Sequence, residues 1–162
     1  MLNIVKNLMQ SLTAGADKPK PRMPDGKHAL AALLVRAARA SDVYDDRQIA
    51  QINAILARRF ALSVQDADQL RLRAAELEQS AGDTVHLTRP IKDLVALEDR
   101  PALLEDLWRV ILADGGRHDN EDGLMRLVSN LLGLADRQSA FTRQYVMTRE
   151  NALPQDHSPL AR

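Results

Sequence analysis

The dominance of leucine and alanine is the feature that most constrains the fold of this chain. Its 162 residues include 25 Leu and 23 Ala, two residue types that favour helices. The residue types that strands prefer are scarce, with 9 Val, 6 Ile, 2 Phe, 2 Tyr and 1 Trp. Apolar residues make up 45% and charged residues 27%, which is typical of a globular protein. We therefore predict an all-α, single-domain helical bundle.

Composition divides the chain into three parts. Residues 1–27 combine a short amphipathic segment with a Pro-rich linker, since residues 14–27 contain three Pro and two Gly and lack apolar periodicity. Residues 28–149 carry the helical pattern and form the domain, and residues 150–162 are typical of a flexible tail.

Residues 2–12 carry an apolar stripe that polar side chains interrupt, so it is too short for a signal peptide or a membrane span. The stripe favours docking on the bundle or on a second copy over contact with an anionic membrane. The chain has no Cys, which excludes disulfides and thiolate metal sites. We expect a cytoplasmic protein; its oligomeric state does not follow from the sequence.

Apolar side chains at helical spacing predict about seven helices. These helices are predicted at about residues 28–40, 46–60, 64–80, 87–95, 98–113, 119–132 and 137–148. Ser63 is expected to cap the third helix, and Pro90 to lie in the first turn of the fourth. The fifth is apolar over the widest arc and is predicted to be the central buried helix. The sixth helix is expected to direct Leu127 into the bundle. The seventh helix presents Phe141 and Val146 among its apolar side chains.

Two stretches of the chain resemble each other. Residues 33–63 and residues 107–135 both contain an apolar helix, an acidic loop, a second helix and an ending with a leucine between small residues. From Ala40 to Leu62 there are 22 positions, and from Ala113 to Leu134 there are 21. The pattern predicts two pseudo-symmetric helix–acidic loop–helix halves, although any two amphipathic helix pairs share part of it.

The net charge of zero conceals an uneven distribution. Residues 28–136 carry a net charge of −5, which the two ends of the chain balance. A nucleic-acid-binding protein usually has a basic body, so this distribution argues against a nucleic-acid partner. The acidic residues concentrate in two loops that join helices. These acidic residues are Asp42, Asp45 and Asp46 in the first loop, and Asp114, Asp119, Glu121 and Asp122 in the second.

The acidic loops allow two interpretations. Carboxylates in the first turn of a helix are explained by capping, which accounts for Asp46, Asp119, Glu121 and Asp122. Asp114 and Asp42 instead follow the end of a helix, next to unsatisfied carbonyls, where a carboxylate requires a nearby cation. That cation is either Ca²⁺ or Mg²⁺, which prefer oxygen ligands, or a guanidinium. The arginines near enough in sequence are Arg39, Arg47 and Arg117.

Known catalytic and calcium-binding motifs do not match. An EF-hand counted from Asp114 would need a ligand at Gly116 and a Glu at Met125. The pair His118-Asp119 occurs in metal phosphohydrolases, but no further histidine stands at helical spacing from it. The chain contains no Gly-rich phosphate loop, nucleophile elbow or His-Glu-x-x-His helix. We therefore predict a non-enzymatic protein and rank a metal-dependent hydrolase last.

Several motifs, in order, resemble the tellurite-resistance TerB-like family, specifically its stand-alone bacterial members of uncharacterised function. The motifs are Leu87-Thr88-Arg89, Leu107-Trp108-Arg109-Val110, Ala113-Asp114-Gly115, Glu121, Leu124, Arg126, Leu131-Leu132-Gly133-Leu134 and Phe141. The resemblance covers about residues 28–148. It implies a bundle of about seven helices in two pseudo-symmetric halves, a link to tellurite and chemical stress, and no enzymatic activity.

The resemblance also implies a metal site formed by an Asp and a Glu from each half. The second half keeps both acids, Asp114 and Glu121, whereas Ser41 and Gln48 stand at the corresponding positions of the first. This departure predicts a weaker site, or a loop kept for partner recognition. The first hypothesis is a TerB-like stress-response module that binds Ca²⁺ or Mg²⁺ through Asp114, Glu121, Asp119, Asp42, Asp45 and Asp46. The alternative is an adaptor whose acidic face binds a protein partner without metal.

Overall fold

A computed structural model describes residues 23–41, 44–115 and 119–152 of the chain. These residues form seven α-helices and one short 3₁₀ helix, with no strand among them. The α-helices are α1 (Gly26–Arg39), α2 (Asp46–Phe60), α3 (Val64–Ser80), α4 (Val85–Leu94), α5 (Arg100–Leu112), α6 (Asp119–Leu131) and α7 (Asp136–Ala152), and the 3₁₀ helix is Leu97–Asp99. The all-α prediction and the expected number of helices are confirmed.

Helix α1 occupies the centre of the bundle. It packs against α2, α3, α4, α5 and α6, whereas α5 packs against α1, α2, α6 and α7. The prediction that α5 is the central helix therefore needs correction, because α1 shares that position and contacts more of its neighbours. Nine of its fourteen residues are buried, and all nine are Ala, Leu or Val. Because so many of its side chains are small and apolar, neighbouring helices can approach α1 closely on several sides.

Local hydrogen bonds explain where the first three helices begin. The Asp25 carboxylate accepts from the His28 amide at 2.8 Å, and the Ser63 hydroxyl accepts from the Asp66 amide at 3.1 Å. At α2, Asp45 and Gln48 form a reciprocal capping box. The predicted Ser63 cap is confirmed, and these side chains satisfy amides that the first turn leaves unpaired.

Helix α4 begins earlier than the sequence indicated. The Asp83 carboxylate accepts from the His86 amide at 3.0 Å, and the helix runs from Val85, so Pro90 is its sixth residue. The expectation that Pro90 lies in the first turn is wrong. A proline at this depth removes one helical hydrogen bond. Its carbonyl oxygen approaches Gly26 of α1 so closely that a Cβ there would stand 3.0 Å away.

Two apolar side chains of the last helices lie at the surface. Leu127 is 46% exposed and Phe141 is 73% exposed, so the prediction that Leu127 faces inward is wrong. The buried residues of α7 include Thr142 and Val146. Five positions turn a helix by about 140°, so Phe141 cannot share a face with Val146.

Arginines satisfy carbonyl groups at the C-terminal ends of several helices. Arg36 of α1 donates to the carbonyls of Glu78 and Gly82 at the end of α3, at 3.2 and 3.4 Å. Arg100 donates to the carbonyl of Leu132 at 2.9 Å and to that of Val95 at 3.1 Å. These bonds tie the ends of α3, α4 and α6 to neighbouring helices, where carbonyls lack intrahelical partners.

The two predicted repeat units end in the same local conformation. The Leu62 amide donates to the Ala57 carbonyl at 3.0 Å, and the Leu134 amide to the Ser129 carbonyl at 2.8 Å. The residue before each leucine is left-handed, with φ of 50° at Ala61 and 75° at Gly133. Both turns are Schellman-type helix ends. Pseudo-symmetry of the complete halves remains a prediction.

Candidate functional site

The structure describes part of each acidic loop. Asp42 lies outside the described residues, as do residues 116–118, which include Arg117 and His118. Asp119 begins α6, but its side chain is not described. The remaining predicted site residues, Asp45, Asp46, Asp114 and Glu121, have described positions.

Arg47, in the first turn of α2, connects the two acidic loops. Its guanidinium donates to Asp45 Oδ2, with Nη2 at 2.9 Å and Nε at 3.2 Å, and Nη2 also donates to the Asp114 carbonyl at 2.9 Å. The carbonyl belongs to the turn that follows α5, where a positive group is favourable. The two loops therefore lie side by side, which a shared site requires. One of the three arginines suggested by the sequence stands at their junction.

The acids of the first loop differ in their surroundings. Asp45 is the N-cap of α2, and the amide of Gln48 followed by the Arg47 side chain lowers the pKa of its carboxyl group. Asp46 is exposed in the first turn of α2. Both positions fit capping and the helix dipole. Arg39, the second suggested arginine, instead pairs with Glu78 of α3.

Ser41 and Gln48 form a neutral pair beneath the first loop. Gln48 Nε2 donates to Ser41 Oγ at 3.3 Å, and Ser41 Oγ donates to the Ala38 carbonyl at 2.9 Å. Gln48 Oε1 accepts from the Asp45 amide at 3.3 Å. Both side chains are buried. These bonds join the end of α1 to the start of α2 without using a charge.

Asp114 and Glu121 occupy the matching positions in the second loop. Asp114 is the second residue after α5, and Glu121 is the third residue of α6. Ser41 is likewise the second residue after α1, and Gln48 is the third residue of α2. Glu121 is only 2% exposed, so its carboxylate lies within the bundle. Two carboxylates here stand where two neutral polar side chains stand in the first loop.

The described histidines lie at helix starts. His28 and His86 place their ring Nδ1 atoms 2.8 and 2.7 Å from Asp25 and Asp83, at the N-terminal ends of α1 and α4. The acidic loop follows the opposite end of α1, about 20 Å from His28 for a helix of this length. Neither contact resembles the paired histidines that a hydrolase would need. Among the side chains that the structure describes, in residues 23–41, 44–115 and 120–150, no three His, Asp or Glu gather closely enough to hold a metal ion.

The family model for Tellurite resistance protein TerB matches residues 27–144. The chain belongs to the TerB family. The resemblance inferred from the motifs is thereby confirmed. Comparison with curated proteins and with solved structures finds no significant match.

The metal site implied for the TerB family can be tested against these side chains. In the second loop, Asp114 follows the end of α5 and Glu121 lies in the first turn of α6, and carboxylates are the oxygen ligands that a hard cation prefers. In the first loop, Ser41 and Gln48 bond to each other and to the backbone, and Arg47 brings a positive charge to the junction. The donor set of this TerB-family protein therefore does not fit a symmetric site of four carboxylates, and the two acids of the second loop are the candidates that remain.

Sequence reasoning missed a buried charge cluster on α5. Asp106 accepts from Arg58 and Arg59 of α2 at 2.6 Å each, and from Arg109 at 3.0 Å. One signal was available, since Asp106 interrupts the apolar face between Leu103 and Leu107. Its two partners on α2 stand 47 and 48 positions away, so no local pattern could identify them.

None of the helices in the described residues is long and apolar enough to cross a membrane.

Proposed function

We propose that this protein is a non-enzymatic module of the cytoplasmic response to tellurite and related chemical stress, and that it binds Ca²⁺ or Mg²⁺ weakly through its second acidic loop. The family assignment supports the link to stress. The two acids of the second loop carry the site proposal, because Asp114 follows the end of α5 and Glu121 is a buried carboxylate in the first turn of α6. A hard cation is stabilised when a rigid part of the structure holds several oxygen ligands close together.

The proposed ligands belong mainly to one half of the molecule. Asp114, Asp119 and Glu121 provide the carboxylates, and Asp42 of the adjoining loop completes the set. Asp45 is already engaged as a helix cap, so it does not act as a direct ligand. Asp45 and Asp46 contribute negative charge from a distance. With the neutral pair of Ser41 and Gln48 in the first half, we expect a dissociation constant in the millimolar range, at the weak end for protein calcium sites.

A metal titration followed by backbone amide NMR tests the site. Ca²⁺, Mg²⁺ and Zn²⁺ are added separately, and we expect Ca²⁺ or Mg²⁺ to shift amides at 42–46 and 114–121 with saturation. Asp114→Asn and Glu121→Gln should each remove the saturable shift. Asp66→Asn, an exposed acid in the first turn of α3, is the matched control and should leave it unchanged. Absence of any shift in these amides at millimolar metal would overturn the cation proposal.

A second candidate is a metal-free adaptor whose acidic face binds a basic protein. The guanidinium of Arg47 at the loop junction favours it, since a positive group already stands where a metal was expected. A lysine-rich peptide should then shift the same amides, and added salt should reverse the shift because exposed charges are screened. Shifts with the peptide and none with metal favour the adaptor, whereas the absence of peptide shifts excludes it.

The link to stress needs a separate measurement. Growth on tellurite is compared between cells that lack the protein and cells that carry it, with Asp114→Asn as a third strain. We expect the protein to improve growth and the variant to lose part of the benefit. Equal growth of the first two strains would contradict the role in tellurite stress without affecting the metal titration.

A further inference from the structure

A cleft of about 460 Å³ opens between α5, α6 and α7. It is lined by Trp108 of α5, Arg126 of α6, and Arg137 and Arg143 of α7. Its volume lies within the range of small-molecule sites. None of the proposed cation ligands lines it, so the cleft is a separate feature of the molecule.

Two buried N–H groups on the cleft side chains have no hydrogen-bond acceptor among the described residues. They are the indole Nε1 of Trp108 and the guanidinium Nε of Arg143. Trp108 is 3% exposed, and the Arg143 guanidinium lies over its ring, 5.5 Å from the centroid. A buried donor without an acceptor costs roughly 1–3 kcal/mol, so an acceptor that reached these two donors would be stabilised there.

The charge of the cleft favours an anionic acceptor. Arg126 and Arg137 are exposed at its edge, and among the described residues neither makes an ion pair. Asp122 and Asp136 also line the cleft, so its three guanidiniums exceed its carboxylates by one. Guanidinium groups bind the oxygens of phosphate-like anions through charge-assisted hydrogen bonds.

We propose that this cleft binds a small oxyanion, or the oxyanion group of a small metabolite. The indole N–H and the stacked Arg143 donate to its oxygens, and Arg126 and Arg137 neutralise its charge. The cleft is larger than a free oxyanion requires, which leaves room for an attached organic group. This site goes beyond the proposed cation function and can fail or succeed independently of it.

The single tryptophan provides a direct test. The full chain gives one indole N–H signal in a ¹H–¹⁵N spectrum, and this signal belongs to Trp108. Inorganic phosphate and tellurite are titrated separately, with chloride at matched ionic strength as reference. We expect either oxyanion to shift the indole signal downfield with saturation. The oxyanion with the higher affinity indicates which oxyanion geometry the cleft prefers.

Variants in which glutamine replaces arginine distinguish binding in this cleft from a general electrostatic attraction of anions to the protein. The double substitution Arg126→Gln with Arg137→Gln changes exposed side chains and should weaken binding by about tenfold or more. Arg73→Gln with Arg89→Gln removes the same charge from exposed positions on α3 and α4 and should leave the affinity unchanged. The proposal is overturned if the indole signal does not move, if chloride moves it equally, or if both double variants weaken binding alike.

Discussion

At the scale of single residues, Asp106 shows how a charge is kept inside this bundle. The side chain is 1% exposed and accepts hydrogen bonds from Arg58, Arg59 and Arg109. A buried carboxylate is tolerated only when it is paired and hydrogen-bonded. The three guanidiniums meet that condition, and those of Arg58 and Arg59 connect α2 to α5.

We predict that Asp106→Asn lowers the free energy of unfolding by about 3 kcal/mol, because it leaves Arg59 facing a neutral amide in a largely buried place. Urea unfolding of both proteins measures the loss. Asp66→Asn removes an exposed acid and should change stability by less than about 0.5 kcal/mol. Equal losses in the two variants would contradict this role for Asp106.

Ala61 is a second residue whose local conformation has an energetic consequence. Its φ of 50° and ψ of 48° place it in the left-handed region, whereas Gly133 fills the equivalent turn after α6. An L-residue with a Cβ is disfavoured there by about 1 kcal/mol.

We expect Ala61→Gly to raise the free energy of unfolding by about 0.5–1 kcal/mol, since glycine relieves that strain at some entropic cost. Ala54→Gly, an exposed position within α2, should instead lower it by about 1 kcal/mol. Thermal or urea unfolding distinguishes the two signs. A loss of stability in both variants would show that Ala61 is unstrained.

At the scale of helices, aspartates at helix starts make stability depend on pH. The pKa of Asp25 is lowered chiefly by the His28 amide, that of Asp45 by the Gln48 amide, and that of Asp83 by the His86 side chain. A carboxyl group whose pKa is lower in the folded state stabilises the fold above its unfolded pKa. That stabilisation disappears as the pH falls through the folded pKa.

We predict that the free energy of unfolding falls as the pH decreases below the ordinary aspartate pKa of 3.8. Urea unfolding at a series of pH values measures this dependence. Asp45→Asn should flatten this pH dependence, because the amide cannot titrate. Asp46→Asn is the control, since it changes a neighbouring exposed acid that is not the cap, and it should flatten the dependence less. A pH dependence that is the same in wild type and Asp45→Asn would contradict the contribution of this cap.

At the scale of the whole molecule, the contact between Arg47 and the Asp114 carbonyl joins two segments that are 67 positions apart. It sets the acidic loops side by side at one end of the bundle. A surface contact of this kind contributes at most about 1 kcal/mol to stability. Its main consequence is the positive charge that it places beside the proposed cation ligands.

We predict that Arg47→Gln leaves the unfolding free energy nearly unchanged but tightens Ca²⁺ or Mg²⁺ binding severalfold, since it removes a repulsive charge from the loop junction. Arg73→Gln, on the exposed side of α3, is the charge-matched control. Amide NMR titration compares the two. Weaker metal binding in Arg47→Gln would show that the guanidinium organises the site.

Helix positions could be predicted because their signals are local. The apolar spacing and the cap at Ser63 lie within a few residues of the helices that they define. The errors arose where a longer-range contact decided the outcome. Pro90 is tolerated inside α4, and Phe141 turns outward while α7 packs against α5 and α6 through its other side.

The two acidic loops could be predicted from the sequence, but their arrangement could not. Composition and periodicity were sufficient for the helical bundle and the two acidic loops, because these depend on residue type and on spacings of three or four positions. The family followed from the resemblance of its motifs. The pairing of the loops through Arg47, the enclosure of Asp106 by three arginines and the cleft beside Trp108 depend on helices from distant parts of the chain. Their side chains meet only after the bundle has packed, and no spacing along the chain records which helix faces which.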